Sequence, residues 1–170
     1  NPEREEEMIT LEISTLDLGT LKTQAGWLNN PETVRFSEQR HKKHTVNTQI
    51  AYVRSFLEHH DNILREIRLD KNLVGTISAY VDTKNRIADV GILIGHGFQS
   101  KGYGYEAWSM FCETLFEKVG VRRIEGGCMA ANQPMIKLFR KYGMHEEGRR
   151  LSHFVFEGSY SDLVLHGRFR

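Results

Sequence analysis

The chain has 170 residues, with 23 lysines and arginines against 22 aspartates and glutamates. This length suits one soluble domain, which we predict over residues 8–170 after a flexible start at residues 1–7. Balanced charge argues against a nucleic-acid binder, whose only support is a basic patch at residues 40–44. No apolar run approaches the ~20 residues of a membrane span, and the acidic first residues do not resemble a signal peptide. Two cysteines make neither a disulfide framework nor a metal set, so we expect a cytoplasmic protein.

The first half of the chain shows one strand pattern, two helical patterns and then three more strand patterns. Ile9, Leu11 and Ile13 alternate with polar residues, which predicts a strand with one buried face. The apolar residues at helical spacing are Leu18, Leu21, Ala25 and Leu28 in the first helix, and Val46, Ile50, Val53 and Leu57 in the second. Strand-like runs follow at 63–69, 73–81 and 86–94, and their short polar connections indicate an antiparallel meander.

A polar stretch from Val34 to His44 separates the two predicted helices. A charged run of this kind is most often a solvated loop. His41 and His44 suggest a metal ligand pair, but two histidines without further ligands are a weak signal. We therefore predict no metal site.

The last strand of the meander runs into a glycine-rich turn that opens a helix. The turn reads Gln99-Ser100-Lys101-Gly102-Tyr103-Gly104, and apolar residues then recur at three- and four-residue steps from Trp108 to Val119. Unpaired N–H groups at a helix start can hold a phosphate, and glycines allow it close approach. The turn alone is equally consistent with a helix entry whose glycines serve only the turn geometry.

The remaining chain predicts a strand, a helix and a hairpin. The strand covers 121–129, and Gly126 and Gly127 within it indicate a bulge or a close backbone approach. The helix runs from Asn132 and Pro134 to Gly143, and its predicted buried stripe consists of Met135, Leu138, Phe139 and Tyr142. Strands at 151–156 and 160–165 close the chain. Because a helix joins the strand at 121–129 to the strand before it, we expect these two strands to be parallel within a mixed α+β sheet.

Three blocks in the C-terminal half resemble the GNAT (GCN5-related) N-acetyltransferases. The glycine turn matches the [RQ]-x-x-G-x-[GA] pyrophosphate loop of that family, and the run from Asn132 to Met144 resembles its N-x-x-[AS]-I-x-L-[YF]-x-K-x-G-F helix. The tail at 158–165 is similar to the closing strands of the branch with ribosomal-protein and small-molecule acetyltransferases. The resemblance implies the GNAT fold, a mostly antiparallel twisted α+β sheet flanked by about four helices, with splayed parallel fourth and fifth strands.

The resemblance also implies direct transfer of acetyl from acetyl-CoA to a primary amine in a ternary complex. The implied cofactor contacts are Ile92, Leu93 and Ile94 for the acetyl and pantetheine groups, Gln99, Ser100, Lys101, Gly102, Tyr103 and Gly104 for the pyrophosphate, Asn132 for the pantetheine arm, and Phe139. The implied acceptor contacts lie between the first two helices, at Arg35, Ser37, Glu38, Arg40 and His41.

Several residues compete for the role of the base that deprotonates the amine. Asp89 lies where some family members place a glutamate base, and Glu125 lies on the adjacent predicted strand. Each is equally consistent with a sheet-surface carboxylate. Glu38 and His41 are alternatives on the substrate side.

The acid is where this chain departs from the family pattern. Many members carry a tyrosine that protonates the leaving thiolate, but the matching residue here is Phe139. Tyr142 is an alternative acid, although its place in the apolar stripe favours packing, and water is another proton source. Cys128 invites an acetyl-cysteine mechanism, but a buried structural thiol is the favoured interpretation.

We predict that the acceptor is a small-molecule amine, such as an amino sugar or a nucleotide amino sugar. The amino terminus of a protein is an alternative acceptor, and a regulatory module that binds acetyl-CoA without turnover is an alternative function. No nucleic-acid or membrane partner is expected. The two closing strands could pair between copies, which makes a homodimer possible.

Overall fold

A computed structural model describes residues 7–170, so the predicted flexible start lies almost entirely outside the described residues. The elements in chain order are β1 (Ile9–Ile13), α1 (Leu18–Leu28), a 3-10 turn (Glu38–His41), α2 (Val46–Glu58), β2 (Ile63–Leu69), β3 (Asn72–Asp82), β4 (Ile87–Ile94), α3 (Tyr103–Thr114) with a π-helical extension (Leu115–Val119), β5 (Arg123–Met129), α4 (Gln133–Lys141), β6 (His145–Phe156) and β7 (Ser159–Phe169). The predicted order of strands and helices is confirmed. The closing hairpin is longer than predicted.

All seven strands form one sheet in the order β1-β2-β3-β4-β5-β7-β6. Neighbouring strands in this sheet are antiparallel, except that β4 and β5 are parallel. The parallel pairing begins with Ile87 opposite Arg123 and ends with Asp89 opposite Glu125. Beyond that pair β4 follows β3 and β5 follows β7, so the two strands separate. We call the space between them the gap. The predicted splay of the fourth and fifth strands is thereby confirmed.

Helices cover both faces of this sheet. The main core lies under α3 and α4, where Trp108 and Phe139 are fully buried. A smaller core on the other face joins α1 and α2 to the sheet through Leu21, Phe56 and Leu64. Successive side chains of a strand point to opposite faces. Each strand beside the gap therefore contributes side chains to both faces of the sheet.

Four apolar residues that the sequence patterns assign to buried faces are exposed instead: Ile13, Leu18, Leu57 and Val119. Each stands in the first or last turn of a helix or at the end of a strand, where neighbouring elements no longer cover it. In α2 the buried place belongs to Phe56, whose ring centre lies 5.2 Å from that of Tyr80. In α4 Ile136 is buried although the predicted stripe omits it. No helix within residues 7–170 is long and apolar enough to cross a membrane.

Candidate active site

The glycine turn links the open end of β4 to the first turn of α3. Gln99 Nε2 donates a hydrogen bond to the Ile94 carbonyl at 3.1 Å. Gly102, with φ of 88°, precedes α3, and its terminus has no side-chain cap among the described residues. A Cβ on Gly104 would meet only ordinary contacts, 3.5 Å to Ile94 and 3.7 Å to Leu138. Ser100, Lys101 and Tyr103 complete the turn. The arrangement suits a phosphate, because the N–H groups at the helix start are uncapped and Gly102 and Gly104 have no side chain to occupy the space beside them.

The other predicted cofactor residues lie along the gap and at the start of α4. Ile92 and Ile94 pack against the main core, and Leu93 points to the opposite face because strand side chains alternate. Asn132 caps α4, since its Oδ1 accepts from the Met135 N–H at 3.2 Å. This cap leaves the amide N–H groups of the Asn132 side chain as the donors for a further contact.

Asp89 and Glu125 are brought together by the register of the sheet. They are the last paired residues of β4 and β5, directly before the gap opens. Tyr80 of β3 is the partner of Asp89 on its other side. The three residues therefore form one row on the face covered by α1 and α2, with neighbouring strands on the order of 5 Å apart.

The electrostatics of this row favour a proton acceptor near the gap. Partial burial raises the pKa of the Asp89 carboxyl above its usual value, and the Glu125 carboxylate raises it further. The pKa of the Tyr80 phenol is also raised, first by burial and then by Asp89. Arg123 donates to Glu125 at 3.3 Å but is shared with the Glu147 carboxylate, to which it donates two hydrogen bonds. Asp89 is consequently the carboxylate of the pair whose proton affinity is increased.

A cavity of about 310 Å³ surrounds this row, and we call it the acidic recess. Its lining residues are Asn62, Tyr80, Val81, Asp82, Ile87, Asp89 and Glu125. Three of them are carboxylates, and no lysine or arginine is among these lining residues. Such a recess attracts a cation.

The opposite face of the gap is apolar and closed. A Cβ at Gly126, the first β5 residue beyond the parallel pair, would lie 3.1 Å from the Phe139 ring and 3.4 Å from the Val90 carbonyl. Because β5 and β7 pair here without a register break, the glycine serves a close approach and not a bulge. The Phe139 ring centre lies 5.5 Å from that of Trp108 and 4.8 Å from that of His166. Phe139 therefore sits at the closed end of the gap with its side chain fully buried, and its contact with the cofactor stays a prediction.

Tyr142, the alternative acid, is engaged elsewhere. Its hydroxyl donates to Glu113 at 2.8 Å, and the Arg168 guanidinium lies 4.4 Å from its ring centre. Burial and the hydrogen bond to Glu113 raise the pKa of Tyr142 well above its usual value. The structure does not bring this hydroxyl to Asp89 and Glu125, and its contacts favour a packing role.

The two cysteines have few thiolates at neutral pH. Burial raises the pKa of the Cys128 thiol to about 11, and it raises that of Cys112 further. Since the thiolate is the nucleophilic form of cysteine, this burial supports the structural interpretation of Cys128.

The predicted acceptor contacts fasten the loop between α1 and α2 to the closing hairpin. Arg35 donates to both carboxylate oxygens of Glu157, at 2.6 and 3.0 Å. Arg40 donates to the carbonyls of Ser37 and Val155, both at 2.8 Å. These contacts fix the position of the loop relative to the hairpin.

Ser37, Glu38 and His41 contact mainly their own loop. The Ser37 hydroxyl accepts from the Gln39 N–H at 3.2 Å, and Glu38 accepts from Arg40 at 3.1 Å. His41 Nε2 lies 3.8 Å from the Glu38 carboxylate. Within residues 7–170 these three side chains do not line the acidic recess.

A second cavity, of about 300 Å³, lies beside this loop, and we call it the cationic cavity. Arg35, Arg40 and Lys42 line it, with Glu157 as its one acidic residue. It shares no lining residue with the acidic recess. The structure thus places Asp89 and Glu125 in one cavity and Arg35 and Arg40 in another, whereas Ser37, Glu38 and His41 are among the lining residues of neither.

Sequence reasoning missed four residues: Asn62 and Tyr80 in the acidic recess, and Trp108, as a ring partner of Phe139, and His166 at the closed end of the gap. Tyr80 joins the row through the register of β3, which no motif signals. For His166 a signal existed, because it follows the buried Val164 by two residues in a strand.

Comparisons with known proteins agree with this geometry. A family model described as an acetyltransferase (GNAT) domain matches residues 10–145. The SPbeta prophage-derived uncharacterized N-acetyltransferase YokL of Bacillus subtilis (strain 168) is 24% identical over 140 residues, which is 82% of this chain and 79% of that protein.

Solved structures share the fold over nearly the whole chain. The spermidine N-acetyltransferase from Vibrio cholerae in complex with CoA and spermine has a TM-score of 0.83 and 18% identity, covering 95% of each chain. The microcin C7 self immunity acetyltransferase MccE in complex with acetyl-CoA and AMP has a TM-score of 0.81 and 17% identity, covering 98% of this chain and 94% of that one. At such identities these likenesses show the fold.

Proposed function

The chain belongs to the GNAT acetyltransferase family, and we propose that it transfers acetyl from acetyl-CoA to the primary amine of a small cationic acceptor. The acidic recess carries this proposal, because it places three carboxylates beside the closed end of the gap. A protonated amine is drawn to such a site before it reacts. The cofactor residues predicted from the sequence are part of the same proposal.

Residues on the acceptor side must first remove a proton. A lysine-like amine has a reference pKa of about 10.4 and arrives as an ammonium ion. Asp89 takes this proton, and its raised pKa makes it a better base at neutral pH than an ordinary aspartate. Glu125 keeps the recess negative while Asp89 is protonated.

Residues around the gap hold and polarise the acyl donor. Acetyl-CoA supplies an acetyl group activated as a thioester. Beyond Asp89, the edge of β4 that faces the gap has no strand partner among the described residues. Its N–H groups are therefore free to donate to a carbonyl oxygen on which negative charge develops.

Two acceptor classes fit a recess that receives an ammonium group. Amino sugars, which the sequence predicts, carry one such group, and polyamines carry several. The Vibrio cholerae structure contains spermine, which supports including polyamines. The recess favours either class over an amino acid, whose carboxylate the three acidic side chains repel.

The cationic cavity favours a second candidate, an amino sugar linked to a nucleotide. Arg35, Arg40 and Lys42 suit phosphate groups, since guanidinium and ammonium groups bind them well. The AMP in the MccE complex supports testing this class. The amino terminus of a protein stays an alternative acceptor, and a cytoplasmic location and a homodimer stay predictions.

An acceptor panel tests the proposal. Free-thiol release from acetyl-CoA is measured with spermidine, glucosamine, a nucleotide-linked amino sugar, an amino acid and an N-terminal peptide, and mass spectrometry identifies each product. We expect release that requires an amine and is fastest with a cationic or amino-sugar acceptor. Turnover confined to peptides, or to none of the panel, would contradict the proposed acceptor class.

A single variant separates the two candidate acceptor classes. Lys42 lines the cationic cavity and not the acidic recess. If phosphates bind there, Lys42→Gln raises KM for the nucleotide-linked amino sugar and leaves KM for spermidine unchanged. Lys118→Gln, an exposed lysine at the far end of α3, is the matched control and should change neither constant.

A further inference from the structure

Three buried nitrogen atoms around the Phe139 ring have no hydrogen-bond partner within residues 7–170. They are Nε1 of Trp108 and both ring nitrogens of His166. The side chains are 0% and 1% exposed, so bulk water does not reach them. Buried polar atoms are almost always paired in folded proteins, and an unpaired cluster points to a partner that the chain itself does not provide.

The cluster lies at the closed end of the gap. His166 is the β7 partner of Gly126, and the Phe139 ring lies against Gly126. Trp108 and His166 flank that ring, with centres 5.5 and 4.8 Å away. Because strand side chains alternate, this cluster faces the side opposite to Asp89.

The protonation state of His166 suits a hydrogen-bond acceptor. Burial lowers the pKa of the imidazole below its usual value. Arg140 of α4 and Arg149 of β6 lower it further, and Glu146 and Glu147 of β6 act in the opposite direction. A neutral imidazole keeps one nitrogen that accepts and one that donates, so it can orient a water molecule.

Acetyl transfer needs stabilisation of the negative charge that develops on the leaving sulfur. Sulfur becomes a thiolate when the thioester breaks, and a phenyl ring at position 139 has no hydrogen to donate. We propose that His166 and Trp108 hold an ordered water beside Phe139, and that this water donates a hydrogen bond to the sulfur of coenzyme A. The proposal rests on the acetyltransferase activity proposed above. It makes His166 a positioning residue.

The step balances without an added reactant. The bond between the amine nitrogen and the acetyl carbon forms as the carbon–sulfur bond breaks, and the electron pair stays on sulfur. Before attack the ammonium proton passes to Asp89, which returns it to solvent, and the acylated nitrogen then releases its second proton to solvent as the amide forms. The hydrogen-bonded thiolate takes its proton from solvent when coenzyme A leaves.

Kinetics of His166 variants give the first test. His166→Leu removes both nitrogens, and we expect kcat to fall about 10-fold to 100-fold, which is less than the roughly 100-fold to 1000-fold effect of removing a donor that contacts the developing charge directly, because a water lies between them. KM for acetyl-CoA should stay within about 2-fold, because a hydrogen bond that strengthens only in the transition state does not change substrate binding. His166→Gln keeps a polar side chain and should lose less. Met144→Leu, an equally buried swap without polar loss, is the control.

Restoring a hydroxyl distinguishes this role from packing. Phe139→Tyr supplies its own donor, so His166→Leu should cost little in that background. Equal losses from His166→Leu in both backgrounds would overturn the proposal.

Binding of coenzyme A without an acceptor gives a readout independent of turnover. Histidine imidazoles are labelled with ¹⁵N, and His166 is assigned by the signal that the His166→Gln variant lacks. We expect its resonances in the wild-type chain to move with coenzyme A and to move less with desulfo-coenzyme A, which lacks the sulfur. Identical shifts with both ligands, or no shift, overturn the proposal. If the acceptor panel shows no turnover, this measurement still decides the role of His166.

Discussion

On one side of the gap Asp89 and Glu125 stand in an open acidic recess, whereas on the other side Trp108, Phe139 and His166 are closed off from solvent. On each strand the residues that face the two sides are adjacent in sequence. Val90 follows Asp89 on β4, and Gly126 follows Glu125 on β5. Because side chains alternate along a strand, the pair β4 and β5 contributes residues both to the acidic recess and to the closed side of the gap.

In the proposed reaction the two sides of the gap have different tasks. The amine is a cation that must lose a proton, and carboxylates in an open recess can attract it and pass that proton to water. The leaving sulfur develops negative charge, and a water-poor pocket with a few N–H groups stabilises that charge more strongly. Variants on the two sides should therefore change different kinetic constants.

The largest effect is expected from Asp89→Asn. The amide cannot accept the ammonium proton, so kcat/KM for the amine should fall about 100-fold or more, within the range for general bases. KM for acetyl-CoA should not change, because Asp89 faces the acceptor side. Steady-state kinetics with each substrate varied in turn measure both constants.

Glu117→Gln provides the matched control for this loss, since Glu117 is an exposed carboxylate on the π-helical extension of α3. It should leave both constants unchanged. A fall in kcat/KM below about 10-fold for Asp89→Asn would remove Asp89 as the base, because general-base catalysis is worth more than that.

A smaller effect is expected from Gly104→Ala at the glycine turn. The new Cβ makes only ordinary contacts within the protein, so the melting temperature should not fall. If the turn holds the pyrophosphate as proposed, the new Cβ takes up part of its space, and KM for acetyl-CoA should rise about 10-fold, which corresponds to about 1.4 kcal/mol of binding. KM for the amine should stay constant.

Gly148→Ala is the control for this prediction, because a Cβ there meets nothing within 4 Å. It should behave as the wild-type chain in both kinetics and melting. An unchanged KM for acetyl-CoA in Gly104→Ala would contradict the assignment of the turn.

Glu125→Gln should shift the pH dependence of the reaction. The Glu125 carboxylate helps to hold the pKa of Asp89 above its usual value, so its neutralisation lowers that pKa. A base works only when deprotonated, and activity is lost as pH falls through its pKa. The acid limb of the kcat/KM profile should therefore move to lower pH in the variant, and a limb that stays in place would show that another group titrates.

The smallest effect concerns stability on the closed side. The folded pKa of His166 lies below its unfolded value near 6.5, so the unfolded chain binds the proton first as pH falls. The free energy of unfolding should decrease from about pH 6.5 downward, and His166→Leu should reduce this dependence. Urea melts at neutral and mildly acidic pH, with both chains compared, measure the difference.

Much of this architecture is readable from the sequence. Strand alternation and helical spacing define the element order, and the turn from Gln99 to Gly104 is predicted to be the cofactor loop from its family pattern. The splay also followed from the resemblance, since periodicity alone does not define which strands pair.

What the sequence left open depends on register. Asp89 and Glu125 were separate candidates until the sheet paired them, and no local pattern reveals that Tyr80 completes the row. The sequence pattern predicts Leu57 on the buried face of α2, but Leu57 is exposed and Phe56 is buried. The last turn of the helix extends past the surface against which the helix packs. Burial of His166 beside Phe139 is likewise a tertiary property.

We propose that Asp89 removes a proton from the amine beside the closed end of the gap. We would compare single-turnover acetylation by wild type and Asp89→Asn with two primary amines of similar size, one strongly basic and one whose pKa lies well below the assay pH. We expect a large loss with the basic amine and little loss with the other, which needs no base before attack. Equal losses with both amines would contradict it.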